Sequence, residues 1–315
     1  MENATFLCLT LARFFALDLP PAVELLGPLF LAKSIGMLVA PRGCGKSLLA
    51  GLIAYAIAAG KPLSPWGIGS GDHVLYIDGE MRAAGLRDRF LQLHKFNSSE
   101  EAQEKVLKRL HIISRDVVGD VIGSLDTLEG QAAFDALIPS FVKFIVIDNY
   151  ASLTSSGSEG PEKFAILKQW LVQKRLDGIA VLLLHHTGKS GTQRGSSTHE
   201  DLLDYTIQLS PRDEPGKTAF TLRHTKLRDH LPSLKGDFDG AFWTDGERMR
   251  FKIAAAEKYA RPEDATILEL RKQGYSFQKI ADELGTMSKA TVMRRHNEIS
   301  AAQTTTEATD ADAED

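Results

Sequence analysis

Lys46 and Ser47, read with the residues before them, are the pair whose types and spacing most directly specify chemistry. The stretch from Ile35 to Ala50 reads IGMLVAPRGCGKSLLA. An ammonium and a hydroxyl stand side by side at the end of a glycine loop. Gly43 and Gly45 admit backbone angles and close approach that a side chain would block. Backbone N–H groups of such a loop, with the free N–H groups of a helix start, converge on phosphate oxygens. Pro41, Arg42, Gly43, Cys44, Gly45, Lys46, Ser47 and Leu48 are therefore the expected phosphate cradle. Lys46 would reach the β- and γ-phosphates of ATP, and the Ser47 hydroxyl would sit on Mg²⁺. The full pattern begins with glycine; here that position is Ala40.

Carboxylates and histidines follow at the ends of apolar runs. Asp148 closes FIVID and is placed to bind Mg²⁺, although an aspartate ending a strand is also a common cap. Glu80, in YIDGEM, is placed to deprotonate the water that attacks a γ-phosphate. Asp78 competes for that role, since strand alternation would put Asp78 and Glu80 on one face. His185 and His186 end another apolar run. Either could hydrogen-bond a γ-phosphate, and either could be a core histidine satisfied by backbone.

The elements that must hold these groups are legible as continuous apolar strands alternating with helices. His73–Asp78, Phe144–Asp148 and Ala180–His185 join Ile35–Val39 as strands, and His111–Ser114 is a shorter one. Helices are expected after the glycine loop to about Ala59, and at Arg82–His94, Ser98–Arg109, Leu125–Ile138 and Pro161–Leu176. Such a pattern predicts an α/β fold, a mostly parallel sheet covered on both faces with ligands at the carboxyl ends of its strands. Past residue 200, shorter alternating strands predict an antiparallel extension. Residues 1–34 are expected to pack on the core or on a neighbouring subunit.

Composition narrows the classes. The chain has 315 residues, 43% hydrophobic and 25% charged, with a formal net charge of −4. That charge gives no global attraction to nucleic acid, so any such binding must use local basic sites. Only two cysteines occur, Cys8 and Cys44, which argues for a reducing, cytoplasmic setting and against disulfides or zinc. The apolar Phe6–Leu17 is interrupted by Arg13 and is too short to span a bilayer, so no membrane association is expected.

Taken in order, PRGCGKS, YIDGEM, FIVIDNY, LLLHHTGKSGTQRGSSTHEDLLD and TKLR resemble the RepA-type hexameric replicative helicases, within the RecA-like (DnaB superfamily) ring ATPases. The resemblance covers about residues 20–250. It implies that Lys46 and Ser47 hold phosphate and Mg²⁺, that Glu80 is the catalytic base and that Asp148 is the metal carboxylate. It further implies that His186 senses the γ-phosphate, and that Lys226 and Arg228 serve a neighbouring subunit's nucleotide in a homo-oligomeric, hexameric ring. Loops at 151–161 and 187–198 would face single-stranded DNA, the second through Lys189 and Arg194 on a Gly/Ser-rich frame.

The C-terminal segment reads separately. Asp264–Gln273, Ser276–Leu284 and Lys289–Glu298 have the spacing of a three-helix unit around Ile267, Leu270, Ile280, Ala281, Leu284 and Val292. The pattern resembles a helix-turn-helix, in which Lys289, Arg294 and Arg295 would meet duplex DNA; such units also bind proteins, here a replication protein. The expected division is 1–260 for the ATPase domain, 261–300 for the helix-turn-helix and 301–315 for a disordered acidic tail. The expected activity is ATP hydrolysis driving movement on single-stranded DNA. An ATP-dependent DNA-binding regulator or scaffold without unwinding activity is the alternative.

Overall fold

The computed structural model describes residues 8–96, 99–154, 161–186, 201–246, 248–256, 262–285, 287–293 and 295–296. Two compact units divide the chain, Met1–Ala255 and Ala256–Asp315.

Strand β1 (Ile35–Ala40) organises the first unit, and all six of its residues are buried. It runs into the glycine loop and then α1 (Lys46–Ala59). After these come β2 (His73–Asp78), α2 (Ala83–Phe96), α3 (Glu100–Arg109), β3 (Leu110–Ser114), α4 (Leu128–Leu137) and β4 (Val142–Asp148). The unit continues with α5 (Pro161–Leu176), β5 (Ala180–His186), β6 (Tyr205–Arg212), β7 (Thr218–Leu227), β8 (Asp237–Asp245) and β9 (Arg248–Ala255). Among the described residues these strands form one nine-stranded sheet in the order β9-β8-β7-β6-β1-β5-β4-β2-β3. From β6 to β3 every pairing is parallel; from β6 to β9 every pairing is antiparallel. This is the expected α/β class, a mostly parallel sheet with an antiparallel extension. Because the strands on either side of β1 are reached by crossovers, the carboxyl ends of β1, β5 and β4 meet at a crevice suited to a ligand.

Period-two alternation sorts the strand residues between two cores. Leu38, Tyr76, Val146, Leu182 and Leu184 face α1, packing with Leu49, Ile53 and Ile57. Met37, Val39, Leu75, Ile77, Ile145 and Ile147 face the other way, onto Phe134 of α4 and Leu167 and Leu171 of α5. Fully burying each large apolar side chain is worth about 1.5–3 kcal/mol, so a one-residue slip of any central strand is prohibitive. Helix α1 is buried around its whole circumference from Leu49 to Ala59, which is why its sequence is Ala/Leu-rich rather than amphipathic. Phe242, Met249 and Ile253 of the far hairpin join the α1 core as well.

Several sequence boundaries move. Of residues 8–34, only the later part packs on the core among the described residues. A short antiparallel hairpin of Glu24–Leu26 and Phe30–Leu31 buries Leu25, Leu26, Leu29 and Phe30 in the α1 core. The one-turn helix Leu11–Phe15 before it buries nothing. Strand β6 extends to Arg212 and β7 to Leu227, beyond the alternating runs Thr206–Leu209 and Thr218–His224 expected from the sequence, because ladder hydrogen bonds continue where side chains are already solvated. No helix of the described residues is long and apolar enough to cross a membrane.

In the second unit, α6 (Pro262–Lys272) and α7 (Phe277–Leu284) are followed by helical backbone at 289–293. Ser276 caps α7 by accepting the Lys279 N–H, and Gly285, with φ of 62°, ends it. Ile267, Ile280, Ala281 and Val292 are buried together, with Leu270 and Leu284 packed against them.

Candidate active site

The glycine loop folds as its residue types require. Gly43 and Gly45 have φ of 77° and 83°, the left-handed region that a side chain disfavours. Gly45 is also the N-cap of α1, with no side chain capping the helix. The first-turn N–H groups are therefore left for an external acceptor, and a phosphate is the natural one. An added Cβ at Gly45 would stand 3.1 Å from Thr218 Cγ2, so the start of β7 closes over the loop. Pro41 and Ser47 are half-buried, Arg42 is exposed, and Leu48 packs against the α1 core. Cys44 is buried, and burial pushes its thiol up to about 11; it is a packing residue that stays protonated.

Lys46 is 4% exposed, and its Nζ has no hydrogen-bond partner. Burial lowers its pKa to about 8; the charges of Asp148 and Glu80 oppose the drop and that of Arg42 adds to it. A buried ammonium without a partner is costly to keep, and a triphosphate would supply the missing anion. The donors fit Mg²⁺ as well. Ser47 and Asp148 offer hard oxygens, and Mg²⁺ takes one or two protein ligands together with substrate phosphate oxygens.

Asp148 lies at the end of β4, buried, with Oδ2 accepting the Tyr76 hydroxyl at 2.5 Å. Asp78 and Glu80, inseparable in the sequence, part company here. Strand β2 stops at Asp78, so the alternation that would have put both on one face does not reach Glu80. Asp78 is fully buried, and its Oδ1 accepts the N–H groups of Glu80 at 3.2 Å and Met81 at 2.8 Å. Burial, opposed by the Met81 N–H, raises its pKa to about 6. Asp78 thus shapes the turn that presents Glu80. The Glu80 side chain is 53% exposed, and its Oε2 accepts from Asn149 Nδ2 and lies 3.7 Å from His186 Nε2. That last distance is too long for a hydrogen bond. His186, at the end of β5, is half-buried. Burial and then Lys46 lower its pKa, against the pull of Glu80, so the ring is neutral near pH 7.

The structure therefore brings Arg42, Lys46, Glu80, Asp148 and His186 to one edge of the sheet, close enough to act on one another electrostatically. Lys226 and Arg228 are not there. Lys226 pairs with Thr206 and Leu227 with Tyr205, which is level with Gly36 at the start of β1. Arg228, the next residue, stands at the opposite edge, where Nη1 donates to Asp204 Oδ1 at 2.6 Å and Nη2 to the Asp201 carbonyl at 3.1 Å. It does not reach its own chain's phosphate loop. Of the nucleic-acid candidates, Lys189, Arg194 and Arg294 lie outside the described residues, as do 155–160 of the first loop and the whole of the second, 187–198. Lys289 is exposed, and Arg295 Nη1 approaches Met287 Sδ at 3.8 Å.

Sequence reasoning missed two residues. Asn149 turns its amide to Glu80 because Oδ1 is occupied by the Ser152 N–H at 3.0 Å, in a reciprocal capping box with Ser152. The Asn–x–x–Ser spacing after Asp148 was the available signal. Tyr76 anchors Asp148 across two strands; a polar tip inside an otherwise apolar strand was the signal there.

Several solved structures are similar in fold. The RadB recombinase matches with 17% identity and a TM-score of 0.49, over 72% of this chain and 93% of that one. A KaiC-like protein from Pyrococcus horikoshii OT3 also gives 17% and 0.49, over 74% and 99%. The flagellar accessory protein FlaH from Methanocaldococcus jannaschii gives 12% and 0.47, over 71% and 91%. Residues 4–192, more than half of the sequence and the part that carries Lys46, Glu80, Asp148 and His186, match the AAA domain family AAA_25, and the chain belongs to that family of P-loop ATPases.

Proposed function

We propose that this chain hydrolyses ATP with Mg²⁺ and uses the reaction to move on single-stranded DNA as a ring of identical subunits. The observation that carries the ATPase part is the buried, unpartnered Lys46 ammonium beside Asp148 and Glu80. Lys46 and the loop N–H groups hold the β- and γ-phosphates, and Ser47 and Asp148 would hold Mg²⁺, which offsets phosphate charge. Glu80, fixed by Asn149, takes a proton from water as its oxygen bonds to the γ-phosphorus. The bond from that phosphorus to the bridging oxygen breaks, and ADP leaves with the electron pair.

Support for the DNA part comes from connectivity and from the RepA-type resemblance. His186, the β5 residue nearest Glu80, is followed directly by the segment that carries Lys189 and Arg194. A neutral imidazole there can exchange hydrogen bonds as a γ-phosphate comes and goes, passing the nucleotide state to that segment. The three-helix cluster of the second unit supports a second reading, a nucleotide-dependent DNA regulator that assembles without unwinding. Turnover with and without single-stranded DNA, and strand separation on a forked duplex, decide between them. DNA-stimulated turnover with unwinding is expected. Replacing Lys189 and Arg194 together by Ala should remove the stimulation and flatten the salt dependence of DNA binding. Stimulation that survives this replacement at an unchanged salt slope would sink the translocation reading.

A further inference from the structure

The phosphate loop carries two cations, and only Lys46 has a task so far. Arg42 stands between Pro41 and Gly43, exposed, with no hydrogen bond or ion pair among the described residues. Four other arginines of its unit are paired. Arg175, Arg212, Arg223 and Arg228 each meet a carboxylate, at 2.5, 2.8, 2.6 and 2.6 Å. Arg42 is nevertheless close to the reacting centre, since its charge lowers the proton affinity of both Lys46 and His186. These groups come from different elements: Lys46 opens α1 and His186 closes β5. Arg42 stands two residues after Ala40, which is level with His186 in the sheet, and four before Lys46, so its guanidinium is within reach of the space between Lys46 and His186, where the γ-phosphoryl group would lie. The loop leaves room for it to move. An added Cβ at Gly43 would meet nothing within 4 Å, and the φ of 77° there gives the backbone a pivot beside Arg42.

We infer that Arg42 is a catalytic residue acting in cis, its planar fork contacting the γ-phosphoryl oxygens of the chain's own ATP. The inference rests on the phosphate-loop reading of residues 41–48. As the bond to the bridging oxygen breaks, charge spreads over the γ-phosphoryl oxygens, and a fixed guanidinium stabilises that distribution more than it stabilises bound ADP. Arg42 exchanges no proton; it stays charged at any working pH while Glu80 takes the proton of water. A protomer equipped in this way hydrolyses ATP slowly without a neighbour, and a group supplied across an interface then accelerates a reaction that already runs.

The test uses the full chain and its Arg42→Ala and Arg42→Lys variants. Equilibrium affinities for fluorescent ADP, and for ADP with aluminium fluoride as a mimic of the γ-phosphoryl group in flight, are measured beside kcat. Arg42→Ala should hold ADP within about threefold of wild type and lose the extra affinity that aluminium fluoride confers. Its kcat should fall about 10²–10³-fold. Arg42→Lys should recover only part, because an ammonium lacks the fork. Unchanged kcat and unchanged aluminium fluoride affinity in Arg42→Ala would overturn the inference. So would an equal loss of ADP and ADP–aluminium fluoride affinity, which would make Arg42 a ground-state phosphate ligand. Failure of the wild-type chain to bind any adenine nucleotide would instead overturn the phosphate-loop reading, and this inference with it.

Discussion

The two edges of the parallel sheet treat their charged and titratable side chains in opposite ways. At the carboxyl edge, Lys46 Nζ, Asp78 Oδ2 and the two ring nitrogens of His186 are buried without hydrogen-bond partners. At the amino edge, Asp204 accepts from Arg175 at 2.5 Å, from Arg228 at 2.6 Å and from the Ile35 N–H at 2.8 Å. Arg175 also donates to the Lys33 and Leu202 carbonyls. One edge pairs its charged groups and ties the starts of β1 and β6 together, although the Tyr205 hydroxyl and Thr206 Oγ1 beside them have no hydrogen-bond partner. The other is left incomplete in polar terms while its apolar core is complete. Buried titratable groups without partners destabilise a fold, so Lys46, Asp78 and His186 at the glycine-loop edge mark a place where a ligand completes the structure.

Arg228 is where this contrast is most exposed to test. Its Asp204 contact is that of a structural ion pair, yet the RepA-type resemblance gives it to a neighbour's nucleotide. If it acts in trans, Arg228→Ala should bind ATP almost normally and turn over about 10³-fold more slowly. Mixing it with Lys46→Ala protein should then restore part of the rate, since one kind of interface pairs an intact Lys46 with an intact Arg228. No recovery, in subunits shown to exchange, would leave Arg228 to the amino edge alone.

Stability separates the edges next. Asp204→Ala strands two guanidinium groups and the Ile35 N–H, and should cost about 3 kcal/mol in chemical denaturation. Lys46→Ala removes a group with no partner to lose, and the apo protein should unfold at the wild-type midpoint or slightly above it. Equal losses in the two variants would erase the distinction between a satisfied and an unsatisfied edge.

A smaller effect should appear with pH, again on the satisfied side. His224 of β7 accepts from Trp66 Nε1 at 3.0 Å, and its Nδ1 lies 3.0 Å from the Leu234 carbonyl, which fixes the neutral ring with Nδ1–H. Burial lowers its pKa to about 4, against an ordinary 6.5. Below 6.5 the unfolded chain binds a proton that the folded chain refuses, so stability falls as pH drops from 6.5 towards 4. Between pH 7 and pH 5 this loss should be about 2 kcal/mol. His224→Gln, which does not titrate, should lose that component of the slope when denaturation midpoints are compared across the range. An unchanged slope would assign it to other groups.

The sequence by itself determined the phosphate-loop motif of the carboxyl edge and the class of the fold. GCGKS admits few conformations, because its glycines, lysine and hydroxyl act through backbone geometry and local spacing. Runs such as HVLYID and FIVID are apolar on both faces, which fits only interior strands. The C-terminal cluster was equally legible, since Ile267 with Leu270 and Ile280 with Leu284 lie at helical spacing. What only the tertiary structure decided were relations between strands distant in sequence. Whether Glu80 shares a face with Asp78 depends on β2 ending at Asp78, which is set by the turn that Asp78 itself caps. The Asn149 contact with Glu80 joins residues 69 apart, and the Asp204 contact with the Ile35 N–H joins residues 169 apart. Local propensity carries no trace of such pairings, because strand order and register are fixed by the summed burial of whole faces. Arg42 shows the same limit: its type and place in the loop were plain, but its lack of a partner among the described residues required every neighbour to be in position.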